Sequence, residues 1–338
     1  MTSTYKTLTE VEPRTLVSAA TTPGNATAMF VISQPGSYYL GGNVNATGGR
    51  HGIVIAADNV TLDLNGYTID GAGSPGFPSG ITSNNTNRRA LMVRNGNINN
   101  FAGYGIFAQT RDSAFESLGF SGNRSGGLEL FQSNNCIARE VRITMPSGEA
   151  GLQLSSNARV ENCIVDGGFN GIIVGANSVV TGSVAVNQPG SGIVSGGGIV
   201  DTCSVYSTNG TTSFNAAGIS TGPGVTVRNC SVRDVRSAGI FIGGDGRIEG
   251  CRITQCNRGI ASSQFSSGRT VIQDNDISDS GTMAIDLPSG KHLVLGNRLR
   301  GNAGAINANP SVVLGEVVLC GPGALPASAS NPTVNLVW

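Results

Sequence analysis

The stretch SAGIFIGGDGRIEGCRITQCNRGIASS, residues 237–263, contains the pair Gly-Ile twice, at Gly239-Ile240 and at Gly259-Ile260. Between the two pairs lies a Cys-x-Ile triplet that begins at Cys251. A chain that returns to the same pair after about 20 residues carries an internal repeat, in which each repeat is one small structural unit.

The repeat extends through most of the chain. Glycine followed by an apolar residue recurs at intervals of 20 to 26 residues between residues 105 and 260. These pairs begin at Gly105, Gly127, Gly151, Gly171, Gly192, Gly218, Gly239 and Gly259. Gly52-Ile53 and Ala90-Leu91 precede the series, and Ala284-Ile285 and Ala305-Ile306 follow it, which makes roughly a dozen repeats.

Each repeat has the pattern of short strands. Segments such as GIFI, GLQL and GIIV place apolar residues at alternate positions, as a strand with one buried face requires. A second motif, apolar-x-x-Cys/Asn-x-apolar, follows each glycine, for example at Val160, Cys163 and Val165. A propeller blade needs about 40 to 45 residues and a leucine-rich repeat needs a different motif, so neither fits. The remaining solution is an all-β parallel β-helix, in which every strand pairs with its equivalent about 4.8 Å away.

Stacking of equivalent residues predicts an inward-facing ladder of small polar groups. The ladder residues are Cys163, Cys203, Cys230 and Cys251, with Asn275 and Asn297 in later repeats. We expect buried thiols, although a Cα separation of about 4.8 Å also permits a Cys203–Cys230 or a Cys230–Cys251 disulfide. The ladder offers no histidine or carboxylate to complete a metal site.

The segment HGIVIAADNVTLDLNGYTIDGAG, residues 51–73, together with the later repeats, resembles right-handed parallel β-helix proteins of the pectin-lyase-like class. We therefore expect one right-handed solenoid domain, residues 1–338, of about eleven to twelve coils. Residues 1–47 would form an N-terminal cap, 48–309 the coils, and 310–338 a C-terminal cap. The class contains polysaccharide lyases, hydrolases, epimerases, tailspikes and adhesins, so the resemblance implies the fold more strongly than the chemistry.

Composition narrows the range of partners. With 21 Lys and Arg against 21 Asp and Glu, the chain has no net charge that would attract nucleic acid. The sequence has no run of 18 apolar residues and no signal-peptide pattern. The resemblance implies a secreted or cell-surface protein whose partner is a polysaccharide or another glycan. The sequence leaves self-association into a homo-oligomer open.

Two long turns predict a groove. Residues 71–89 and 207–217 are longer than the other turns that lead into the Gly-apolar strands, and functional residues concentrate on such loops. The predicted floor between them consists of Phe107, Glu129, Gln153, Ile173 and Val194. Tyr104, Arg111 and Arg124 lie in or near turns beside this floor. We expect Tyr104 and Phe107 to stack on sugar rings and Gln153 and Arg111 to bind hydroxyl groups, unless the loops simply cover the floor.

Catalysis is not evident in this groove. Glu129 and Arg124 are the candidate acid-base pair, but a hydrolase needs two carboxyl groups about 5 to 9.5 Å apart. Glu129 and Asp286 would lie about 34 Å apart at the strand spacing, so the residues favour a lyase over a hydrolase if the protein is an enzyme. We predict no cofactor and no metal from the residues, and the family resemblance alone would allow calcium.

A second polar cluster lies near the C-terminus. It contains Arg258, Asp286, Lys291 and His292 and is a secondary candidate for a catalytic site. A lone histidine in a β-turn is most often a solvated surface residue, and we expect that here. Two functions thus remain open at the level of sequence: a carbohydrate-binding β-helix without catalysis, and a polysaccharide lyase, hydrolase or epimerase.

Overall fold

The structure is a computed structural model that describes residues 13–71, 75–208, 216–264, 267–319 and 333–337. The chain divides into two compact units, Met1–Gly148 (unit 1) and Glu149–Trp338 (unit 2). The described residues form strands and turns without an α-helix, and none of them forms a helix that could span a membrane. The single domain expected from the repeats stays a prediction.

Most strands of unit 1 lie in three columns of parallel strands, which we call columns A, B and C in chain order around each coil. The described strands of unit 1 are β1 (Thr15–Leu16), β2 (Ala28–Ile32), β3 (Gly36–Tyr39), β4 (Val44–Asn45), β5 (His51–Ile55), β6 (Val60–Asp63), β7 (Thr68–Asp70), β8 (Ile81–Thr82), β9 (Arg88–Arg89), β10 (Met92–Asn99), β11 (Tyr104–Ala108), β12 (Thr110–Arg111), β13 (Ala114–Ser121), β14 (Gly126–Asn134), β15 (Ile137–Arg139) and β16 (Arg142–Met145). Column A contains β2, β5, β8, β11 and β14. Column B contains β1, β3, β6 and β15, column C contains β4, β7 and β16, and β10 and β13 each run through both columns. Strands β9 and β12 and the end of β14 form a further short ladder.

Unit 2 repeats the same arrangement. Its described strands are β17 (Ala150–Ser156), β18 (Arg159–Glu161), β19 (Ile164–Gly167), β20 (Asn170–Val174), β21 (Ser178–Thr181), β22 (Val184–Val186), β23 (Ile193–Ser195), β24 (Gly198–Asp201), β25 (Ser204–Thr208), β26 (Ala217–Thr221), β27 (Val225–Arg228), β28 (Ser231–Ile242), β29 (Gly246–Glu249), β30 (Arg252–Ser262), β31 (Thr270–Gln273), β32 (Asp276–Ser278), β33 (Met283–Leu287), β34 (Leu293–Leu295), β35 (Arg298–Arg300), β36 (Ile306–Ala308), β37 (Val313–Leu314), β38 (Val317–Leu319) and β39 (Asn335–Val337). Ile240 pairs with Ile260 within the opening stretch, and Ser231, which precedes that stretch, pairs with Arg252, so equivalent repeat residues are in register as predicted.

The predicted parallel β-helix is confirmed, and the coils of the two units number about 13 rather than eleven or twelve. One difference comes from the predicted N-terminal cap, where Phe30 pairs with Ile53 and Val44 with Ile69, so these residues continue the coil. The assignment of Ala90-Leu91 as a repeat pair was wrong, although this error does not change the number of coils. Gly80-Ile81 is the repeat pair, because Ile81 stacks between Ile53 and Ile106.

The glycines of column A let the strands of two columns pack closely. A Cβ at Gly80 would overlap the Cγ2 atom of Ile98, and one at Gly105 would overlap the ring of Phe120. Ile98 is fully buried and Phe120 nearly so. Burial of each large apolar side chain contributes about 1.5–3 kcal/mol, so the glycines make room for the residues that stabilise the coil.

The bend between columns B and C repeats the same backbone geometry in unit 2. One residue with a left-handed conformation ends each column B strand, for example Asn162 at φ 53° and Asn229 at φ 53°. The next residue begins column C and belongs to the predicted ladder. Asparagine and glycine tolerate this conformation better than most residues, which explains why they recur at this bend in successive repeats.

The predicted ladder is confirmed and is longer than expected. Its members, all buried, are Cys163, Ser183, Cys203, Cys230, Cys251, Asn275, Asn297 and Asn335. The six cysteines that the structure describes are free thiols, so neither of the two disulfides considered above is formed. A hydrogen bond with Cys230 and burial raise the pKa of Cys203 above its ordinary value, which disfavours the reactive thiolate.

Candidate functional site

Column A positions the central residue of the candidate site in unit 1. Phe107 pairs with Thr82 on β8 and with Glu129 on β14. Its neighbour Ile106 points into the coil and is fully buried, whereas Phe107 points outward and is only half-buried. The alternation of a strand therefore places the Phe107 ring on the outer face, as predicted.

Three aromatic rings form a continuous surface on this face. The rings of Tyr104 and Phe107 stack with centroids 5.1 Å apart and an interplanar angle of 28°. The rings of Phe107 and Phe131 have centroids 6.5 Å apart at an angle of 15°. Phe131 is 47% exposed, so the outer end of the stack is open to solvent.

The long turn after β7 forms a wall beside these rings. Phe77 in this turn is 84% exposed, the largest exposure among the large apolar side chains that the structure describes. The wall is tied to the floor because the amide of Gly103 donates to the carbonyl of Pro78 at 2.9 Å. The amide of Tyr104 also donates to Oγ of Ser79 at 3.3 Å.

The wall and the rings enclose a cleft of about 240 Å³, which we call the aromatic cleft. Its principal side chains are His51, Phe77, Thr82, Asn84, Tyr104 and Phe107. Asn84 follows β8 with φ 51°, a left-handed turn conformation, and its amide donates to Oγ1 of Thr82 at 3.0 Å. The cleft thus combines aromatic faces with a polar edge, a combination typical of small-ligand sites.

The sequence analysis did not predict His51 as a site residue. Its hydrogen bonds define its protonation state. The backbone amide of Ser79 donates to Nδ1 of His51 at 2.9 Å, so Nδ1 accepts and the proton of the neutral ring lies on Nε2. Burial lowers the pKa of His51 below its ordinary value of 6.5, which favours this neutral form. His51 directly precedes Gly52, as Tyr104 precedes Gly105, so the repeat position contained the signal that would have found it.

The remaining predicted residues of unit 1 are arranged differently. Glu129 lies on the floor strand but is only 7% exposed. Arg124 is exposed in the turn before β14, and its amide donates to the carbonyl of Phe101 at 2.9 Å. Arg111 is exposed on β12, where it pairs with Arg89 and Asn134. The acid-base role of Glu129 and Arg124 stays a prediction, as does the sugar-binding role of Arg111.

The other floor residues belong to unit 2. Gln153 pairs with Ile173, Ile173 pairs with Val194, and all three side chains are half-buried. Within the second long turn, residues 207–217, positions 209–215 lie outside the described residues. The groove between the two long turns and the role of Gln153 therefore stay predictions.

The four residues of the C-terminal polar cluster do not form one site: two form an ion pair, one is exposed and one is buried. Arg258 and Asp286 form an ion pair of 3.1 Å, and Nδ2 of Asn307 donates to Asp286 at 2.8 Å. Lys291 is exposed. The expectation that His292 is solvated was wrong, because the side chain is buried with 1% exposure.

His292 is buried because it satisfies backbone groups inside the turn. Its Nδ1 accepts from the amide of Thr270 at 3.3 Å, and its Nε2 donates to the carbonyl of Ser289 at 3.0 Å. Burial lowers the pKa of His292 from its ordinary value of 6.5. These contacts give His292 a structural role in the turn.

The described residues include no group of three or more His, Cys, Asp and Glu side chains arranged to hold a metal ion. The site is accordingly built from aromatic rings, neutral hydrogen-bonding groups and backbone amides. Such groups bind and orient a ligand that has both an apolar face and hydroxyl or ether oxygens.

Fold and site together define a parallel β-helix with an aromatic cleft on its outer strand face. The family model described as "Right handed beta helix region" matches residues 79–219 and 215–317, and the chain belongs to that family. The predicted right-handedness is thereby confirmed. No curated protein matches the sequence significantly.

The chain is similar to several solved structures at low sequence identity. The A-module of the mannuronan C-5 epimerase AlgE4 of Azotobacter vinelandii is 17% identical, with a TM-score of 0.61, over 83% of this chain and 91% of that chain. The tailspike protein of E. coli bacteriophage HK620 is 12% identical over 85% of this chain and 69% of that chain, with a TM-score of 0.46. The catalytic domain of a GH87 alpha-1,3-glucanase is 11% identical over 89% of this chain and 68% of that chain, with a TM-score of 0.41.

Proposed function

We propose that the protein binds a carbohydrate in the aromatic cleft of unit 1. The observation that carries this proposal is the stacked, partly exposed surface of Tyr104, Phe107 and Phe131. Aromatic rings left at a protein surface mark a binding site, because exposing them to water is unfavourable. The apolar face of a sugar ring can cover such rings while its hydroxyl groups remain available for hydrogen bonds.

The polar edge of the cleft supports the same ligand class. With Nδ1 bound by Ser79, the neutral ring of His51 has Nε2–H as its donor for a ligand oxygen. Asn84 and Asn85 line the cleft with side-chain amides that donate and accept. These neutral groups suit the hydroxyl and ring oxygens of a sugar.

Binding is better supported than catalysis. Glu129 is 7% exposed below the rings, and Nδ1 of His51 is occupied by a backbone donor. A histidine held in this way donates a hydrogen bond through Nε2 and does not have a free ring nitrogen to accept a proton. The lyase, hydrolase or epimerase alternative would require an acid-base pair that reaches a sugar in this cleft.

The fold comparison supports a polysaccharide ligand. One structural neighbour, with a TM-score of 0.61, is named as an epimerase of mannuronan. We infer that the present protein also meets a polysaccharide or another glycan, and that it does so outside the cell or at the cell surface. Neither a calcium ion nor another cofactor is part of this proposal.

The test is a glycan array that includes alginate, polygalacturonate and a neutral β-glucan, scored for binding and for new reducing or unsaturated ends. We expect the parent protein to bind at least one glycan without forming new ends. The Phe107→Ala variant should bind that glycan about tenfold more weakly, since loss of about 1.4 kcal/mol corresponds to a factor of ten. Formation of new ends by the parent would favour the enzyme alternative.

The control is Tyr206→Ala in unit 2, which removes a half-buried aromatic ring that contacts Arg233 outside the cleft. This variant should bind like the parent. Equal affinity of the parent and Phe107→Ala for the selected glycan, or binding of no glycan on the array, would overturn the proposal.

A further inference from the structure

Unit 2 has a cleft of its own on the outer face of column A. Its volume is about 270 Å³, and Phe169, Asn170, Ser191, Val194 and Ser220 line it. Phe169 is 39% exposed, which is unusual for a large apolar ring in a folded protein. We call this depression the second cleft.

The side-chain amide of Asn170 has a fixed orientation in this cleft. The backbone amide of Ser191 donates to Oδ1 of Asn170 at 2.9 Å. A backbone N–H can bond only to the oxygen of the side-chain amide, so Nδ2 must occupy the other branch. Within the described residues Nδ2 has no hydrogen-bond acceptor, and its two protons are available to a ligand.

Asn170 occupies the same repeat position as His51. Each is the first residue of a column A strand and directly precedes a glycine, Gly52 or Gly171. Each accepts a hydrogen bond from the backbone amide of a serine on the next coil of its own unit, Ser79 or Ser191. In both residues the acceptor atom, Nδ1 of His51 or Oδ1 of Asn170, is bound by the protein backbone. The donor group, Nε2–H of His51 or Nδ2 of Asn170, remains available to a ligand.

The two serines, Ser79 and Ser191, also make equivalent hydrogen bonds to the coil that follows them. Oγ of Ser79 accepts from the amide of Tyr104 at 3.3 Å, and Oγ of Ser191 accepts from the amide of Ala217 at 3.2 Å. In both clefts, therefore, a hydrogen bond from a serine backbone amide orients a neutral donor group at the start of a column A strand.

Gly190 brings the aromatic ring and the amide of the second cleft together. A Cβ at Gly190 would lie 2.7 Å from Oδ1 of Asn170 and 2.9 Å from Cε1 of Phe169. Real Cβ atoms do not approach other atoms so closely, so the glycine is what allows Phe169 and Asn170 to flank the same space. An exposed ring beside an oriented amide donor repeats the chemistry of the aromatic cleft.

We propose that the second cleft is a separate sugar-binding site, in which Phe169 contacts the apolar face of a sugar ring and Nδ2 of Asn170 donates to a hydroxyl or ring oxygen. This inference rests on the proposed function only for the class of ligand. Each site lies within one unit, so each binds a sugar without residues from the other. The protein thus has two binding sites for glycan per chain.

The experiment is calorimetric titration with tetrasaccharides of mannuronate, galacturonate and β-linked glucose, which are short enough to report single sites. We expect a stoichiometry of two for the parent. Asn170→Asp keeps an oxygen for the Ser191 amide but removes both Nδ2 protons, and Phe169→Ala removes the ring. Either change should lower the stoichiometry to one or weaken one of the two binding events at least tenfold.

Two further variants make the outcomes distinguishable. Val313→Ala shortens a 62% exposed side chain outside the cleft and should leave both binding events intact. Phe107→Ala should remove the event in unit 1 and spare the one in unit 2. Unchanged binding in Phe169→Ala and Asn170→Asp, with loss of all binding in Phe107→Ala, would overturn the second site and leave the proposed function standing.

Unchanged binding in Phe107→Ala, with loss of binding in Phe169→Ala and Asn170→Asp, would support the second site and reject the aromatic cleft as a binding site. Binding of no tetrasaccharide by the parent would overturn both. Circular dichroism and the unfolding midpoint of each variant will show whether it is folded, and Asn170→Asp should match the parent because it retains the Ser191 hydrogen bond.

Discussion

Nδ2 of Asn275 donates a hydrogen bond of 2.9 Å to Oδ1 of Asn297, which lies on the next coil. The same Oδ1 also accepts from the backbone amide of Asn275 at 3.1 Å. Asn297 in turn donates to Oδ1 of Asn335 at 3.0 Å. The asparagines of the ladder therefore satisfy buried polar groups on successive coils, and Asn275 and Asn297 each depend on the asparagine of the next coil.

This dependence predicts an asymmetry between two substitutions. Asn297→Ala should destabilise the protein by about 1–3 kcal/mol, because it leaves the buried backbone amide of Asn275 without its acceptor and leaves Nδ2 of Asn275 with the carbonyl of Ile248 alone. Cys251→Asn should be tolerated much better, since its new side chain can donate to Oδ1 of Asn275. Urea unfolding of both variants gives the comparison, and equal losses of stability would show that the ladder does not act in this way.

The column A glycines are predicted to be required for steric reasons. Gly105→Ala would place a Cβ on the ring of Phe120 and 2.7 Å from the carbonyl oxygen of Gly127. Overpacking of this kind costs about 1–3 kcal/mol. Gly42→Ala is the matched control because a Cβ there meets nothing within 4 Å, and its effect should stay within about 0.5 kcal/mol. Thermal unfolding midpoints that fall equally in both variants would contradict the steric explanation.

The aromatic cleft should lose affinity in acid. Burial lowers the pKa of His51 from 6.5, and a protonated ring cannot accept the Ser79 amide at Nδ1. Glycan affinity should accordingly be constant above about pH 6.5 and fall as the pH drops through the lowered pKa of the folded protein. The measurement is the dissociation constant of the selected glycan between pH 8 and pH 5.

The control for this pH dependence is His51→Asn. The asparagine can accept the Ser79 amide, as Asn170 accepts that of Ser191, and it does not titrate in this range. The acid-dependent loss should therefore be absent in the variant, whatever its affinity at neutral pH. A pH profile identical to that of the parent would assign the effect to another group.

The described thiols should be unreactive in the folded protein. Burial raises the pKa of Cys136 to about 11 and that of Cys256 to about 12, so their thiolates are scarce at neutral pH. A hydrogen bond with Cys230 lowers the pKa of Cys251, but its side chain is 1% exposed and a reagent cannot reach it. Reaction with a small aromatic disulfide at pH 8 should leave Cys136, Cys163, Cys203, Cys230, Cys251 and Cys256 unmodified until denaturant is added. Peptide mass mapping after brief labelling identifies the sites, and rapid modification of any of the six would be inconsistent with the buried ladder.

The amino-acid sequence by itself determined the coil and the direction of its side chains. Glycine-apolar pairs at intervals of 20 to 26 residues predicted stacked strands, and the alternation of Ile106 and Phe107 predicted which side chain faces outward. These features could be predicted because parallel strands stack equivalent residues in register and side chains alternate between the two faces.

Only the tertiary structure decided which outward residues a ligand can reach. Glu129 and Phe131 both follow the outward alternation of β14, yet they are 7% and 47% exposed. His51 and His292 both stand in or beside turns, but only their hydrogen bonds to backbone groups revealed that both rings are held in the neutral form. Such accessibility and protonation depend on atoms contributed by other coils and by turns, whose conformations the repeat pattern does not encode.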